Sequence, residues 1–388
     1  MSKSRIYLDW NATAPLLPAA RQAFVDALAL EGNPNSVHAE GRTARAAIET
    51  ARRQVATLVG AAPANVVFTS GATEAANMVL TPDFAMGRSP LRMGRLYVSA
   101  IEHPAVRLGG RFAPDDVTEI PVTREGLVDL AALETLLAGH PAEAGLPLVA
   151  IMAANNETGV IQPVKEAAAL VHAKGGLLVV DAVQAAGRMP LDVDALDADF
   201  LILSAHKIGG PKGAGALVSR GETLMPKPLV RGGGQEKGHR GGTENVAAIV
   251  AFGAAAAFMA NGLAERNAAI GALRDRLERR MREIASDVAI YGAAAPRLVN
   301  TTFFGLPGLK AETGQIAFDL EGVALSAGSA CSSGKVGQSH VLTAMGFDPK
   351  VGALRISLGI STTEEEIDRA IEVFALVNGR RSKEERAA

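Results

Sequence analysis

From about residue 40 to residue 255 the chain alternates between two spacings of apolar side chains. Ala44, Ala47, Ile48, Ala51, Val55 and Leu58 recur at steps of three and four, the spacing of one helical face, and Gly60 follows where that helix would end. Short runs then appear in which apolar and β-branched residues are nearly continuous: residues 66–70, 96–100, 148–153, 177–181 and 200–204. Their length and continuity predict strands buried on both faces of a mostly parallel sheet. Residues 164–174 carry a helical pattern between two of these runs, as a right-handed crossover requires. The pattern predicts an α/β fold whose ligand chemistry lies at the carboxyl ends of the strands.

Beyond this region the spacing changes. Residues 246–260 are apolar all round, which predicts a buried helix, and 263–287 form a long amphipathic pattern with Arg and Glu on the outer face. A second set of short strands and helices is expected in 288–388, ending in a frayed charged tail at 380–386. These changes predict a large domain over residues 1–260, with segment 1–15 packed at the active site and the small domain, and a smaller C-terminal domain over 261–388.

Composition narrows the classes. The formal net charge is −2 with acids and bases interspersed, and aromatics are 4% of residues, which argues against a nucleic-acid binder. The 246–260 run is shorter than the ~18 apolar residues that a membrane span needs, so no membrane association is expected. The first ten residues hold no apolar core of signal-peptide length, so export is not expected. The only cysteine, Cys331, forbids an intrachain disulfide and suits a reducing cytoplasm. The seven histidines form neither HExxH nor a Cys/His cluster, so no resident metal is expected.

Three strand ends carry candidate chemistry. Thr69 to Glu74 leave a strand and enter a helical pattern, offering backbone N–H groups and the Thr73 hydroxyl either to a phosphate or to ordinary capping. Asp181 ends the run 177–181, with Gln184 three residues on. It reads either as a helix cap or as the partner of a buried cation such as a protonated pyridine nitrogen, with Gln184 placed to donate to the same ring's phenolate oxygen. Ser204, His206 and Lys207 close the third run before a glycine cluster. A lysine there is either a solvated strand end or a desolvated amine suited to Schiff-base and proton-transfer work. The glycines match neither GxxxxGK[ST] nor GxGxxG, so a nucleotide loop is excluded.

Asp181 and Gln184 followed by Ser204-Ala205-His206-Lys207 resemble the pyridoxal-phosphate site of fold-type I enzymes, in the class V aminotransferase branch. Residues 7–15 (with Asn11-Ala12-Thr13), 32–38, Glu102-His103, and 155–159 (Asn155-Asn156-Glu157-Thr158-Gly159) resemble cysteine desulfurases of the nitrogen-fixation and housekeeping iron–sulfur type. So do 231–236, 240–245, 326–331 and 354–359, in the expected order along nearly the whole chain. Trp10 departs from the pattern, standing where the family often has another residue, and Gly242 occupies a variable position.

The resemblance implies a pyridoxal-phosphate cofactor held on Lys207, with Ala72, Thr73, Ser204 and His206 around its phosphate. It implies His103 stacked on the ring and active in proton transfer, Asp181 and Gln184 on the ring's heteroatoms, and Asn156 at both cofactor and substrate. Asn156 and Arg355 would bind the substrate carboxylate, Arg355 through its bidentate fork, with Asn11 close to the amino acid. Thr243 would reach the phosphate of a neighbouring subunit, so a homodimer is expected. Lys207 would take the Cα proton of L-cysteine, and Cys331 would take its sulfur as a persulfide, leaving L-alanine. The sulfur would then pass to an acceptor such as an iron–sulfur scaffold protein, and in that transfer Cys331 would meet a cluster only transiently.

A lone cysteine is ordinarily an inert packing residue, but Cys331 lies among Gly328, Ser329, Ala330, Ser332, Ser333 and Gly334, a setting suited to a mobile thiol. The rival readings are a selenocysteine lyase, a class V aminotransferase, which has no use for Cys331, and a non-catalytic scaffold for iron–sulfur assembly.

Overall fold

The computed structural model describes residues 5–328, 338–348 and 352–387, with side chains as far as Arg381. Its centre is a nine-stranded sheet, of which the parallel members include Ser89–Ser99, Leu146–Met152, Leu177–Asp181 and Phe200–Ser204, hydrogen-bonded in that order. Gly215–Ser219 runs antiparallel to both Phe200–Ser204 and Val66–Thr69, which turns Val66–Thr69 back into the common direction. The strands carrying candidate chemistry thus end at one edge of the sheet, as expected of an α/β fold.

Two differences from the sequence reading stand out. Residues 96–100 are the end of the longer strand Ser89–Ser99, whose first half pairs antiparallel with Asp83–Met86. Gly94 and the arginines beside it break the apolar run there, so the hairpin carries little hydrophobic signal. The second difference is at the C-terminus, where the helix Glu364–Ala387 runs through the segment read as a frayed tail.

The helix Ala39–Leu58 ends in a Schellman-type turn, with Gly60 at φ 64° and Ala61 N–H donating to Ala56 O at 3.0 Å. It packs on the sheet together with Val246–Ala260, and Ile48, Val55, Phe252 and Ala255 join the strand residues Val149, Val180 and Leu201 in one core. A second core gathers Ile270, Leu277, Phe304, Phe318 and Phe374 around a four-stranded sheet formed by Ala289–Ile290, Thr301–Gly305, Ala353–Ser357 and Ser326–Ala327. Ile6 and Leu8 belong to that second core, and Ile6–Tyr7 pairs with Val323–Ala324. The first described residues therefore form a separate two-stranded pair within the second core, and the chain runs from there to the end of the large sheet. Among the described residues, no single helix is long and apolar enough to cross a membrane.

At the sheet edge opposite the site, His172 ends the helix Val164–His172, with Nε2 2.9 Å from Asp199 Oδ2 and Nδ1 3.2 Å from Asp197 Oδ2. Burial alone would lower its pKa, but the two carboxylates outweigh burial and raise it. Because the folded value is raised, this contact stabilises the fold fully below the unfolded pKa of about 6.5, and the contribution is lost as pH rises through the folded value. Replacing His172 by Gln should therefore lower the urea midpoint more near pH 6 than near pH 9, by roughly the same linkage. A deficit equal at both pH values would mean that the ring's charge contributes nothing.

Candidate active site

A cleft of about 470 Å³ opens at the carboxyl edge of the large sheet. Its wall includes Asn11, Ala72, Thr73, His103, Asn156 and Asp181. Gln184, Ser204, His206, Lys207 and Arg355 complete the set, so these sequence-derived candidates converge on one cavity. Two candidates are not among them. Thr243 is exposed and does not line this cleft, and Cys331 lies outside the described residues.

One end of the cleft is built for an anion. The helix Ala72–Val79 begins at Gly71, which supplies no side-chain cap, so the first-turn N–H groups of Ala72 and Thr73 face a cavity rather than a capping oxygen. Glu74 steadies this turn by accepting from Ser70 N–H at 2.8 Å and from Arg240 Nε at 2.9 Å. Burial raises the Glu74 carboxyl, but the hydrogen bonds of Arg240 and Ser70 outweigh it and hold the group below its usual range. Arg240 thereby ties the segment leading to Thr243 to the anion turn.

Lys207 follows the strand Phe200–Ser204 through a single 3-10 turn, and its Nζ donates to Asn11 O at 2.6 Å and to Ala12 O at 2.8 Å. Asp181 accepts Val183 N–H at Oδ1, at 2.9 Å. Burial pushes this carboxyl up to about 6, even though Val183 and the charge of Lys207 pull it down. A carboxylate so placed gains from a cation brought into the cleft beside it. One Asp181 oxygen thus holds the turn that follows the strand, and no bond is described for the other.

His103 accepts Ala105 N–H at Nδ1, at 3.1 Å, which leaves the ring proton on Nε2. Burial, then Lys207, then His340 push its pKa down to about 4, so the ring is neutral at physiological pH. His206 lies 3.0 Å from Thr13 Oγ1 through Nδ1, and burial followed by Lys207, Lys212 and Arg188 pushes it down to about 4 as well.

Arg355 and Asn156 line another part of the cleft. Arg355 donates Nη2 to Asp9 Oδ1 at 2.8 Å and Nη1 to Asn156 O at 2.8 Å, while Ser326 Oγ donates to the other Asp9 oxygen at 2.7 Å. Arg355 Nε and Asn156 Oδ1 are buried polar atoms without a hydrogen-bond partner among the described residues, so both could serve a polar ligand. The Asn11 side chain is already engaged. Its Nδ2 donates to Thr301 Oγ1 at 2.9 Å and its Oδ1 accepts from Asn300 at 3.0 Å, so its backbone carbonyl is what Lys207 meets.

Several residues that contact the cleft or its lining escaped the sequence reading. Asp9 stood inside a matched stretch without a role, although a carboxylate near the chain start is an obvious mate for Arg355. Arg188 lies one helical turn past Gln184 and contacts both Gln184 and the Lys207 backbone. Glu102 accepts Met152 N–H at 2.6 Å, and burial followed by the charge of Asp181 raises its pKa well above the usual carboxylate range. Buried acids of this kind leave no trace in apolar spacing.

Trp10 also finds its reason. A Cβ on Gly359 would fall 1.8 Å from Trp10 Cδ2, so the indole lies directly against a backbone that only glycine leaves bare.

A sequence model of the aminotransferase class-V family matches residues 6–370. A cysteine desulfurase of Cereibacter sphaeroides is 40% identical over 378 residues, covering 95% of this chain and 95% of that one. Among solved structures, the NifS-like protein from Rickettsia africae ESF-5 superposes with a TM-score of 0.86 at 35% identity, over 97% of this chain and 99% of that one. SspA in complex with cysteine gives a TM-score of 0.73 at 27% identity, over 92% of this chain and 100% of that one. With the family pattern running from Ile6 to Ala370 and such identity over nearly the full length, the chain belongs to the class-V aminotransferase family, among its cysteine desulfurases.

Proposed function

We propose that this enzyme removes sulfur from L-cysteine, releasing L-alanine and holding the sulfur as a persulfide on Cys331, with pyridoxal phosphate bound at Lys207. One observation carries this reading: Lys207, Asp181 and Arg355 line a single cleft in a chain of this family. The cofactor fits the donor set. The uncapped N–H groups at Ala72 and Thr73, with Ser204 and His206, suit its phosphate, and the raised Asp181 carboxyl suits its ring nitrogen. His103 suits the ring face, and Gln184 and Asn156 complete the contacts. Bound there, the cofactor supplies an electron sink for the pair left when the substrate Cα loses its proton.

The remaining work falls to the chain. Arg355 Nε and Asn156 Oδ1 offer unspent polar atoms to the amino acid, and Asp9 keeps the guanidinium aligned. Lys207 Nζ takes the Cα proton and, as the ammonium so formed, is the acid that returns one, while the neutral His103 ring offers its Nε2–H as a hydrogen-bond donor. The Cys331 thiolate attacks the substrate sulfur. An S–S bond forms, the C–S bond breaks with its electron pair going to the substrate carbon, and protonation gives alanine. A protein acceptor such as an iron–sulfur scaffold then takes the sulfur. We assign the chain to the cytoplasm, where Cys331 stays a thiol, as a homodimer in which exposed Thr243 serves the partner's phosphate site. We also divide it into domains 1–260 and 261–388.

Incubation of the purified protein with L-cysteine, and in parallel with L-selenocysteine, tests this reading. Alanine should accumulate from cysteine, and a trapped persulfide should map to Cys331. Absence of alanine from cysteine would overturn the assignment, and alanine from selenocysteine alone would replace it with a lyase.

A further inference from the structure

Arg188 is a buried guanidinium that the mechanism above does not use. It leaves the turn after Gln184, and Asn267 from the helix Leu263–Ile284 holds its backbone carbonyl at 2.8 Å. Nη1 donates to Gln184 O at 3.2 Å and to the Gln184 side-chain oxygen. Nη2 donates to Trp10 O at 3.2 Å and to Lys207 O at 3.3 Å. One planar group therefore joins the N-terminal segment, the Gln184 amide and the Lys207 backbone. Because Arg188 takes the Gln184 oxygen, the Gln184 amide is locked with Nε2 donating to Asn11 O at 3.0 Å, the same carbonyl that receives Lys207 Nζ.

The charges around it are unbalanced. Arg355 has Asp9 within 2.8 Å, whereas the bonds described for Arg188 all end on uncharged oxygens. The other charged or titratable groups facing this region are His103, His206, Lys212 and Arg266, and the acids lining the cleft among the described residues are Asp181 and Glu74, the latter paired with Arg240. Burial, then the like charge of Arg355, pushes Arg188 down to about 10, still protonated at physiological pH. A buried cation without a counter-charge lowers the proton affinity of neighbouring nitrogens.

We propose that Arg188 is a positioning residue whose unneutralised charge beneath Gln184 and Lys207 sets the protonation of the nitrogen that Lys207 carries in the loaded enzyme. This rests on the function proposed above. The test reads absorbance rather than turnover: the holoenzyme and two variants, Arg188→Met and Arg188→Lys, are titrated with pH at the cofactor's visible band. Loss of the charge in Arg188→Met should raise the apparent pKa by about one unit, and Arg188→Lys should stay close to the wild-type value. An Arg188→Met titration that coincides with wild type overturns the inference, as does an Arg188→Lys shift equal to that of Arg188→Met. If Arg188→Met fails to fold, Arg188→Gln takes its place with the same expectation, and failure of both to fold makes the residue purely structural and the inference false. A wild-type chain that takes up no cofactor would instead overturn the parent reading.

Discussion

Replacing Lys207 by alanine is expected to lower alanine release from L-cysteine by about 10⁴-fold, the upper end of what a positioned acid–base group supplies. The reason is geometric as well as chemical. Lys207 is the lysine at the end of the strand Phe200–Ser204, and its Nζ is held by Asn11 O and Ala12 O at the cleft wall. No other side chain described there offers an amine on the same strand end, since Lys212 lies beyond the turn. The variant should still bind pyridoxal phosphate through the anion turn and Asp181, but borohydride should no longer fix the cofactor to the protein. A variant that keeps more than about a hundredth of wild-type turnover would remove Lys207 from the proton-transfer role.

The Cys331→Ala variant is expected to fail at a later point. Alanine formation should fall by at least about 10³-fold, equivalent to ~4 kcal/mol of transition-state stabilisation. Cofactor content and visible absorbance should match the wild type, because the residues lining the cleft are untouched. The pair of variants separates two halves of one reaction: solvent hydrogen should still exchange at the substrate Cα in Cys331→Ala and should not in Lys207→Ala. Full cysteine activity in Cys331→Ala would exclude the persulfide route and favour a lyase acting without a protein thiol.

Much of the fold was legible because buried parallel strands write themselves as unbroken apolar runs. The strands Leu177–Asp181 and Phe200–Ser204 match the runs read from the sequence, and Asp181 and Lys207 follow as strand-end groups. Gly215–Ser219 was not legible, since the glycine cluster before it reads as loop chemistry. Its antiparallel course is nonetheless what brings Val66–Thr69, and with it the anion turn, alongside Lys207. The site was partly legible for a similar reason. Motif residues that face a ligand are named by their type and place, whereas Arg188, Asp9 and Glu102 act on other protein groups across long stretches of sequence. Arg355 illustrates the division: its type announces a carboxylate partner, but only the folded chain reveals that Asp9 already occupies Nη2.

The course of the first residues has a consequence for the order of assembly. Ile6 and Tyr7 pair with Val323 and Ala324, and Asp9 bridges to Ser357, before Asn11 and Ala12 receive the Lys207 amine. This segment thus finds its strand partners only after residues 323–357, more than 300 positions later, have been made. Until then Lys207 lacks the carbonyls that hold it and Arg355 lacks its aspartate. A nascent chain can lay down the large sheet early, yet its reactive centre closes only once the strands around Val323 and Arg355 have followed, so that catalytic competence lags behind the large sheet.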